Sequence, residues 1–440
     1  MKTLLWTLAV VVIAGSPVSA SDGLISSSVE VKDLDEESTL DDYLAYAALN
    51  NPRLQAAFEQ WKAAVQRVPQ AKALPDPRFT FSYFIEEVET RVGPQRRTLA
   101  ITQTFPWLGK LKSRGDAAAR AADTAEEQYA AAGFDLFNRV KQAYYEYYYL
   151  GRAVKTAEEN VQLLTYLQEV ALTAYASGTG SHGDVIKAQV ELGKAEDLLR
   201  SLRDKRRPVM ARLNAELNRQ PDAVLPWPQV IDDDRAIFTD EQLFTWLQES
   251  PRLKAADFAA QSRRAQWTLA KKQAIPDLTL GVKVIDTDPA RMPGIADSGK
   301  DPVVATFSVN LPLWFGKYRA EAKEKNARYQ AALHQRSDLE NKLKAQVEAA
   351  LYGFRDARRK IDLYGESLVP KAELHFEVTQ RGFTVGKASF LDLIDAQRTL
   401  LEFQLAYERA RADREQRLAE LEMLIGRELP RAGSTDAGEQ

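Results

Sequence analysis

The sequence predicts a mainly α-helical protein with a small antiparallel β part, built as two tandem copies of one plan. Three observations carry this prediction. Landmarks repeat at about 200 residues. Two pairs of segments alternate apolar and polar residues in strand fashion. One stretch of about 67 residues, roughly 100 Å as a helix, runs without a proline.

The repeat is read from four ordered landmarks. Asn51-Pro52-Arg53-Leu54 returns as Ser250-Pro251-Arg252-Leu253, and Ala73-Leu74-Pro75-Asp76 as Ala274-Ile275-Pro276-Asp277. Phe105-Pro106-Trp107-Leu108-Gly109-Lys110 is answered by Leu311-Pro312-Leu313-Trp314-Phe315-Gly316-Lys317. Gly178, Ser181, Asp184 and Gln189 match Gly386, Ser389, Asp392 and Gln397. The spacing drifts from 199 (251 − 52) to 208 (386 − 178), as two diverged copies with small insertions would.

Each copy reads helix, hairpin, very long helix, tight turn, helix. The first spans 37–220. A helix over Leu40 to Ala73, rich in good helix formers, stops at Pro75-Asp76-Pro77. A hairpin follows over 78–105: Phe79, Phe81, Tyr83 and Ile85 lead out, and Leu99, Ile101 and Phe105 lead back. The long helix covers Lys110 to Ala176, a tip lies at 175–184, and a return helix runs from Asp184 to Asn218. The return helix is half the length of its partner, and the short first helix supplies the missing half when stacked on it. After a linker at 221–238 the second copy spans 239–426, with its hairpin at 278–312 and its tip at 383–392. Its long helix, Lys317 to Val385, contains Pro370, which should bend it or mark a join. The cluster Tyr144, Tyr145, Tyr147, Tyr148 and Tyr149 reads as helix packing rather than a cofactor box.

Composition narrows the function. Residues 1–20 read as a signal peptide, with Lys2 before a short apolar run and Val18-Ser19-Ala20 before a cleavage point. Residues 21–36 and 427–440 read as disordered. The chain has no cysteine, which removes disulfides, thiol catalysis, thiolate metal sites and a lipoprotein anchor. Beyond the signal no apolar run reaches the roughly 18 residues of a membrane helix. A net charge of −3 with 28% charged residues implies no nucleic-acid surface. His182, His334 and His375 have no metal-site spacing, and no catalytic constellation stands out, so neither enzyme nor cofactor is expected.

Four strands with one apolar and one polar face cannot close on themselves, and membrane barrels need about eight or more. Three protomers would give twelve, and a bilayer demands closure because an open edge leaves backbone groups unpaired in lipid. The strand pattern alone fits equally a small soluble sheet capping a coiled coil.

The whole mature chain resembles the TolC-like outer-membrane efflux proteins, most specifically in its tips. These are Tyr175-Ala-Ser-Gly178-Thr-Gly-Ser181-His-Gly-Asp184 and Phe383-Thr-Val-Gly386-Lys-Ala-Ser389-Phe-Leu-Asp392-Leu-Ile-Asp395. The resemblance implies a homotrimer with a 12-stranded barrel in outer-membrane lipid and a coiled-coil tunnel in the periplasm of a Gram-negative cell. It implies partners as well: a periplasmic adaptor and an inner-membrane pump. Asp392 and Asp395 match a pair lining the periplasmic mouth, and Asp184 a residue that helps tie it shut. Where the archetype has tyrosine and arginine, this chain has Phe383 and Ala388. Gly178, Ser181, Gly386 and Ser389 should shape the adaptor-docking tips. Trp107 and Trp314 fall where strand gives way to long helix, a position that fits either an aromatic girdle at the membrane interface or core packing at the junction. The Phe105–Lys110 stretch is similar to the branch that exports heavy-metal ions. The rival readings are a periplasmic helical-hairpin adaptor and a soluble coiled-coil scaffold.

Overall fold

A computed structural model describes residues 34–228 and 236–431. The expected signal peptide lies outside the described residues, as do positions 21–33 and 432–440 of the expected disordered ends.

The first copy begins with α1 (Leu40–Asn50) and α2 (Pro52–Lys72). The single helix expected here is split at Asn51, which leaves helical geometry, caps α2 by accepting from Arg53 and Leu54 N–H, and places Pro52 at the first helical position. Strands β1 (Arg78–Val88) and β2 (Gln95–Phe105) precede α3 (Lys110–Ala176), a helix of 67 residues. The return is again two pieces, α4 (His182–Asp204) and α5 (Arg206–Glu216). The second copy repeats the order with α6 (Asp240–Gln248), α7 (Pro251–Lys272), β3 (Leu278–Thr287) and β4 (Val303–Val309). It ends with α8 (Phe315–Leu363), α9 (Val369–Thr384) and α10 (Phe390–Ile425). A π-helical turn at Tyr364–Leu368 joins α8 to α9 just before Pro370, whose missing N–H and bulky ring disfavour the ordinary ladder there.

Packing follows the repeat. One core gathers Tyr43, Leu136, Val140, Tyr144, Tyr147, Leu213 and Leu217. Its counterpart in the second copy gathers Leu243, Leu343, Val347, Leu351, Phe354, Leu421 and Ile425. A third cluster, with Leu167, Val185, Phe376, Phe390 and Leu393, binds the lower ends of both hairpins. The tyrosine cluster is part of the first core: Tyr43 meets Tyr144 edge to face, and Tyr147 stacks on Trp227 at 4.5 Å and donates to Leu225 O.

Two segments hold more structure than their sequence suggests. In the stretch read as a disordered tail, Leu429 is only 4% exposed, Ile237 N–H donates to Pro430 O, and Arg431 pairs with Glu415. In the stretch read as a disordered leader, Leu34 is buried against the first core. Few apolar residues are needed when they fit a core built by distant segments.

The strands form one antiparallel sheet in the order β1-β2-β3-β4, with β2 and β3 joining the two copies. The second hairpin pairs only as far as Val309, since Leu311, Leu313 and Trp314 lie beyond the ladder. The register sets Phe79 beside Ile101, Val282 and Ala305, and Phe81 beside Leu99, Val284 and Val303. The opposite face carries Thr80, Ser82, Thr98, Thr102, Lys283, Thr306 and Ser308. β1 and β4 leave their outer edges unpaired within the protomer.

Candidate functional site

At the narrow end of the hairpins the two tips are built alike. Thr179 N–H donates to Ala174 O and Gly178 N–H to Tyr175 O; Lys387 N–H donates to Gly382 O and Gly386 N–H to Phe383 O. This pairing satisfies the last carbonyls of α3 and α9 and requires the left-handed backbone that Gly178 (φ +77°) and Gly386 (φ +72°) supply.

The following helices start on capping boxes. Ser181 Oγ accepts from Asp184 N–H, while the Asp184 carboxylate accepts from Ser181 N–H and Oγ–H. Ser389 and Asp392 repeat the arrangement. The Ser389 hydroxyl and N–H, aided by His375, hold the Asp392 carboxyl below the usual aspartate range. Asp184, half-buried, and Asp392, exposed, are thus both engaged locally in the protomer. Asp395, one turn further along α10, is exposed and free of that task. The aromatic that replaces the archetype's tyrosine is explained by packing: Phe383 meets Phe390 at 5.7 Å, where the first tip sets Tyr175 against His182 at 5.3 Å.

Behind the tips α4 and α10 are tied by Arg398, whose guanidinium grips the Glu191 carboxylate. Burial pushes that carboxyl up, but the bonds from Arg398 and Lys194 outweigh it and hold it below the usual glutamate range.

At the opposite end the apolar sheet face is exposed, including Phe79, Phe81, Tyr83, Leu99, Ile101, Val282 and Phe307. Trp107 and Trp314 stand where strand gives way to helix, 49% and 77% exposed. Asp277 secures this junction by accepting from Trp107 N–H and pairing with buried Lys110. Beyond the strands the two hairpin loops lock together through Gly299 N–H to Val92 O and ion pairs of Arg96 and Arg291 with Glu87. Among the described residues no helix is long and apolar enough to cross a membrane, and no group of three His, Asp or Glu could hold a metal ion.

One feature escapes sequence reasoning, a polar seam between α3 and α10. Lys141 pairs with Glu422, Arg152 with Glu408, Arg409 with Glu146, and Asn160 bonds Gln397. Glutamates seven residues apart (408, 415, 422) on one helix were its available signal.

A helical-hairpin body carrying a half-exposed amphipathic sheet defines the class of outer-membrane channel components. The sequence matches the outer membrane efflux protein family over residues 44–219 and 245–427, and the chain belongs to that family. It is 24% identical over 409 residues to the cobalt-zinc-cadmium resistance protein CzcC of Cupriavidus metallidurans, covering 88% of this chain and 90% of that protein. Its fold matches the outer membrane protein VceC from Vibrio cholerae with a TM-score of 0.75 at 21% identity, covering 88% of this chain and 96% of that one. It matches CusC with a TM-score of 0.77 at 15% identity, covering 88% and 92%.

Proposed function

We propose that the protein is the outer-membrane channel of a tripartite efflux system. Three copies close a barrel of twelve strands, and their hairpins form a periplasmic tunnel that conducts cargo passively. The observation that carries this reading is the sheet: one apolar face, one polar face and two unpaired edges on a single protomer. Closure by like copies satisfies both edges and turns the apolar face to lipid and the polar face to a pore.

The tips at Gly178–Ser181 and Gly386–Ser389 offer the surface for a periplasmic adaptor, which couples the channel to an inner-membrane pump. Asp395 and Asp392 of three protomers place carboxylates at the mouth, where they attract cations. Trp107 and Trp314 sit at the level of the lipid headgroups. Similarity to a cobalt-zinc-cadmium resistance protein makes divalent metal ions the first cargo to test.

The test is planar-bilayer recording on detergent-extracted protein, with and without candidate adaptors. Discrete conductance steps from a heat-modifiable trimer are expected. A water-soluble monomer that never conducts would favour the scaffold reading instead.

A further inference from the structure

The two ends of the sheet carry opposite charge. At the loop end, residues 86–98 and 285–301 hold five cations against seven acids, a balance of 5 − 7 = −2. Four of those cations, Arg96, Arg97, Arg291 and Lys300, each pair with a carboxylate of the same chain. At the helix end, residues 72–77, 106–116, 271–277 and 311–319 hold eight cations against three acids, a balance of 8 − 3 = +5 in a chain whose net charge is −3. Lys72, Lys112, Arg114, Lys271, Lys317 and Arg319 are all exposed there, and none of the six pairs with a carboxylate among the described residues.

Packing gathers these cations. The Lys72 side chain lies across Gly115 of α3, and Lys272 donates to Gly109 O and Ser113 Oγ, so the ends of α2 and α7 flank the start of α3. Trp267 of α7 stacks on Tyr329 of α8 at 6.2 Å, and the Lys271 ammonium stands over the same Trp267 ring at 4.1 Å. Helix chemistry does not account for the charge. α3 opens with Lys110 and Lys112 and α8 with Lys317, where the helix dipole favours acids, and neither has an acid in its first turn or a side-chain cap. By contrast α1, α4, α6 and α10 all begin on capping boxes with an acid in the first turn. On the strand side of the cations lies a collar of exposed apolar residues: Leu108 is 87% exposed, Leu313 68% and Trp314 77%.

We propose that this basic collar docks the anionic phospholipid headgroups of the periplasmic leaflet, with phosphates against Lys112, Arg114, Lys317 and Arg319 and acyl chains on the apolar sheet face. The inference rests on the reading of the sheet as part of a membrane barrel and adds the class of lipid that surrounds it. Cations bordering an apolar surface are the arrangement that holds acidic headgroups. Their pull fades within about 8 Å at physiological salt, so only a leaflet touching the collar is selected. The loop end, with most of its cations already neutralised, does not compete for the same lipid.

The test is native mass spectrometry of the detergent-extracted protein titrated with phosphatidylglycerol or phosphatidylcholine of matched acyl chains, alongside planar-bilayer recording. Wild type should retain phosphatidylglycerol about tenfold better at low salt, and the preference should shrink as salt is raised. Lys112→Gln, Arg114→Gln, Lys317→Gln and Arg319→Gln combined should bring the two lipids close to parity. Lys112→Arg, Arg114→Lys, Lys317→Arg and Arg319→Lys combined keep the charge and should keep the preference. Conducting trimers whose wild type shows no preference, or whose glutamine variant retains it, would overturn the docking and leave the channel standing. A glutamine variant with unchanged lipid preference but altered anion selectivity would place the cations in the pore and overturn it too. No oligomer and no conductance in either lipid would remove the barrel reading, and this one with it.

Discussion

The Lys141 ammonium lies 2.5 Å from the Glu422 carboxylate, two buried charges from positions 281 residues apart that meet between the two copies of the fold. Lys141→Met would leave the carboxylate buried without its cation and should destabilise the protein by about 3–5 kcal/mol. Lys141→Met with Glu422→Met should recover much of the loss, because an apolar pair carries no desolvation penalty. Thermal melts of the detergent-solubilised protein decide this. A double variant as unstable as the single would show that the pair does more than neutralise itself.

Glu415, one heptad before Glu422, sets a pH dependence. Burial pushes its carboxyl above the usual glutamate range, although Arg414 and Arg431 pull it down. A raised folded pKa means the native state holds the proton more tightly than the unfolded chain. The associated stability is present at low pH and is lost as pH rises from about 4.5 through the folded value. Glu415→Gln should therefore show a smaller fall in melting temperature than wild type as pH is raised over that window. Parallel curves for the two proteins would contradict this.

Gly93 joins the two hairpin loops at φ +132°, and a Cβ there would stand 1.7 Å from Asp288 O. Gly93→Ala must break the loop lock, and we expect a loss of about 2 kcal/mol or more with a reduced fraction of heat-resistant oligomer on gels. Gly178→Ala is the contrast: its Cβ meets nothing within 4 Å, so only left-handed strain of roughly 1–2 kcal/mol applies. Equal damage from both would count against the loop contact.

At the tips, Asp392→Ala with Asp395→Ala should weaken block of single-channel current by multivalent cations added from the periplasmic side. Asp395→Ala alone should carry most of that effect, since the Asp392 carboxylate already accepts from Ser389. Unchanged block would remove these carboxylates from the mouth.

Local chemistry was legible in the sequence, and distant chemistry was not. The limits of α3 were plain, because Gly109 and the Ser177–Ser181 turn are strong stop and start signals on either side of a proline-free run. The strand faces followed from alternation, and the tips from glycine, serine and acid at fixed spacing. The break at Asn51 was hidden by an otherwise continuous helical composition, although Asn-Pro is itself a capping signal. Pro370 announced a join without revealing the π-helical turn before it. The fit of Leu34 and Leu429 depends on cores assembled from remote segments. The α3–α10 seam is the clearest case, for nothing near Lys141 in the chain names Glu422 as its partner.

The unpaired outer edges of β1 and β4 bear on how the protein reaches its membrane. A solitary newly exported chain that entered hydrocarbon would carry two rows of bare amides and carbonyls with no water to meet them. Recruitment of sister chains must therefore come before, or together with, entry into lipid. Biogenesis would then depend steeply on the supply of fresh chains, and scarce expression would leave stranded single chains rather than leaky partial pores.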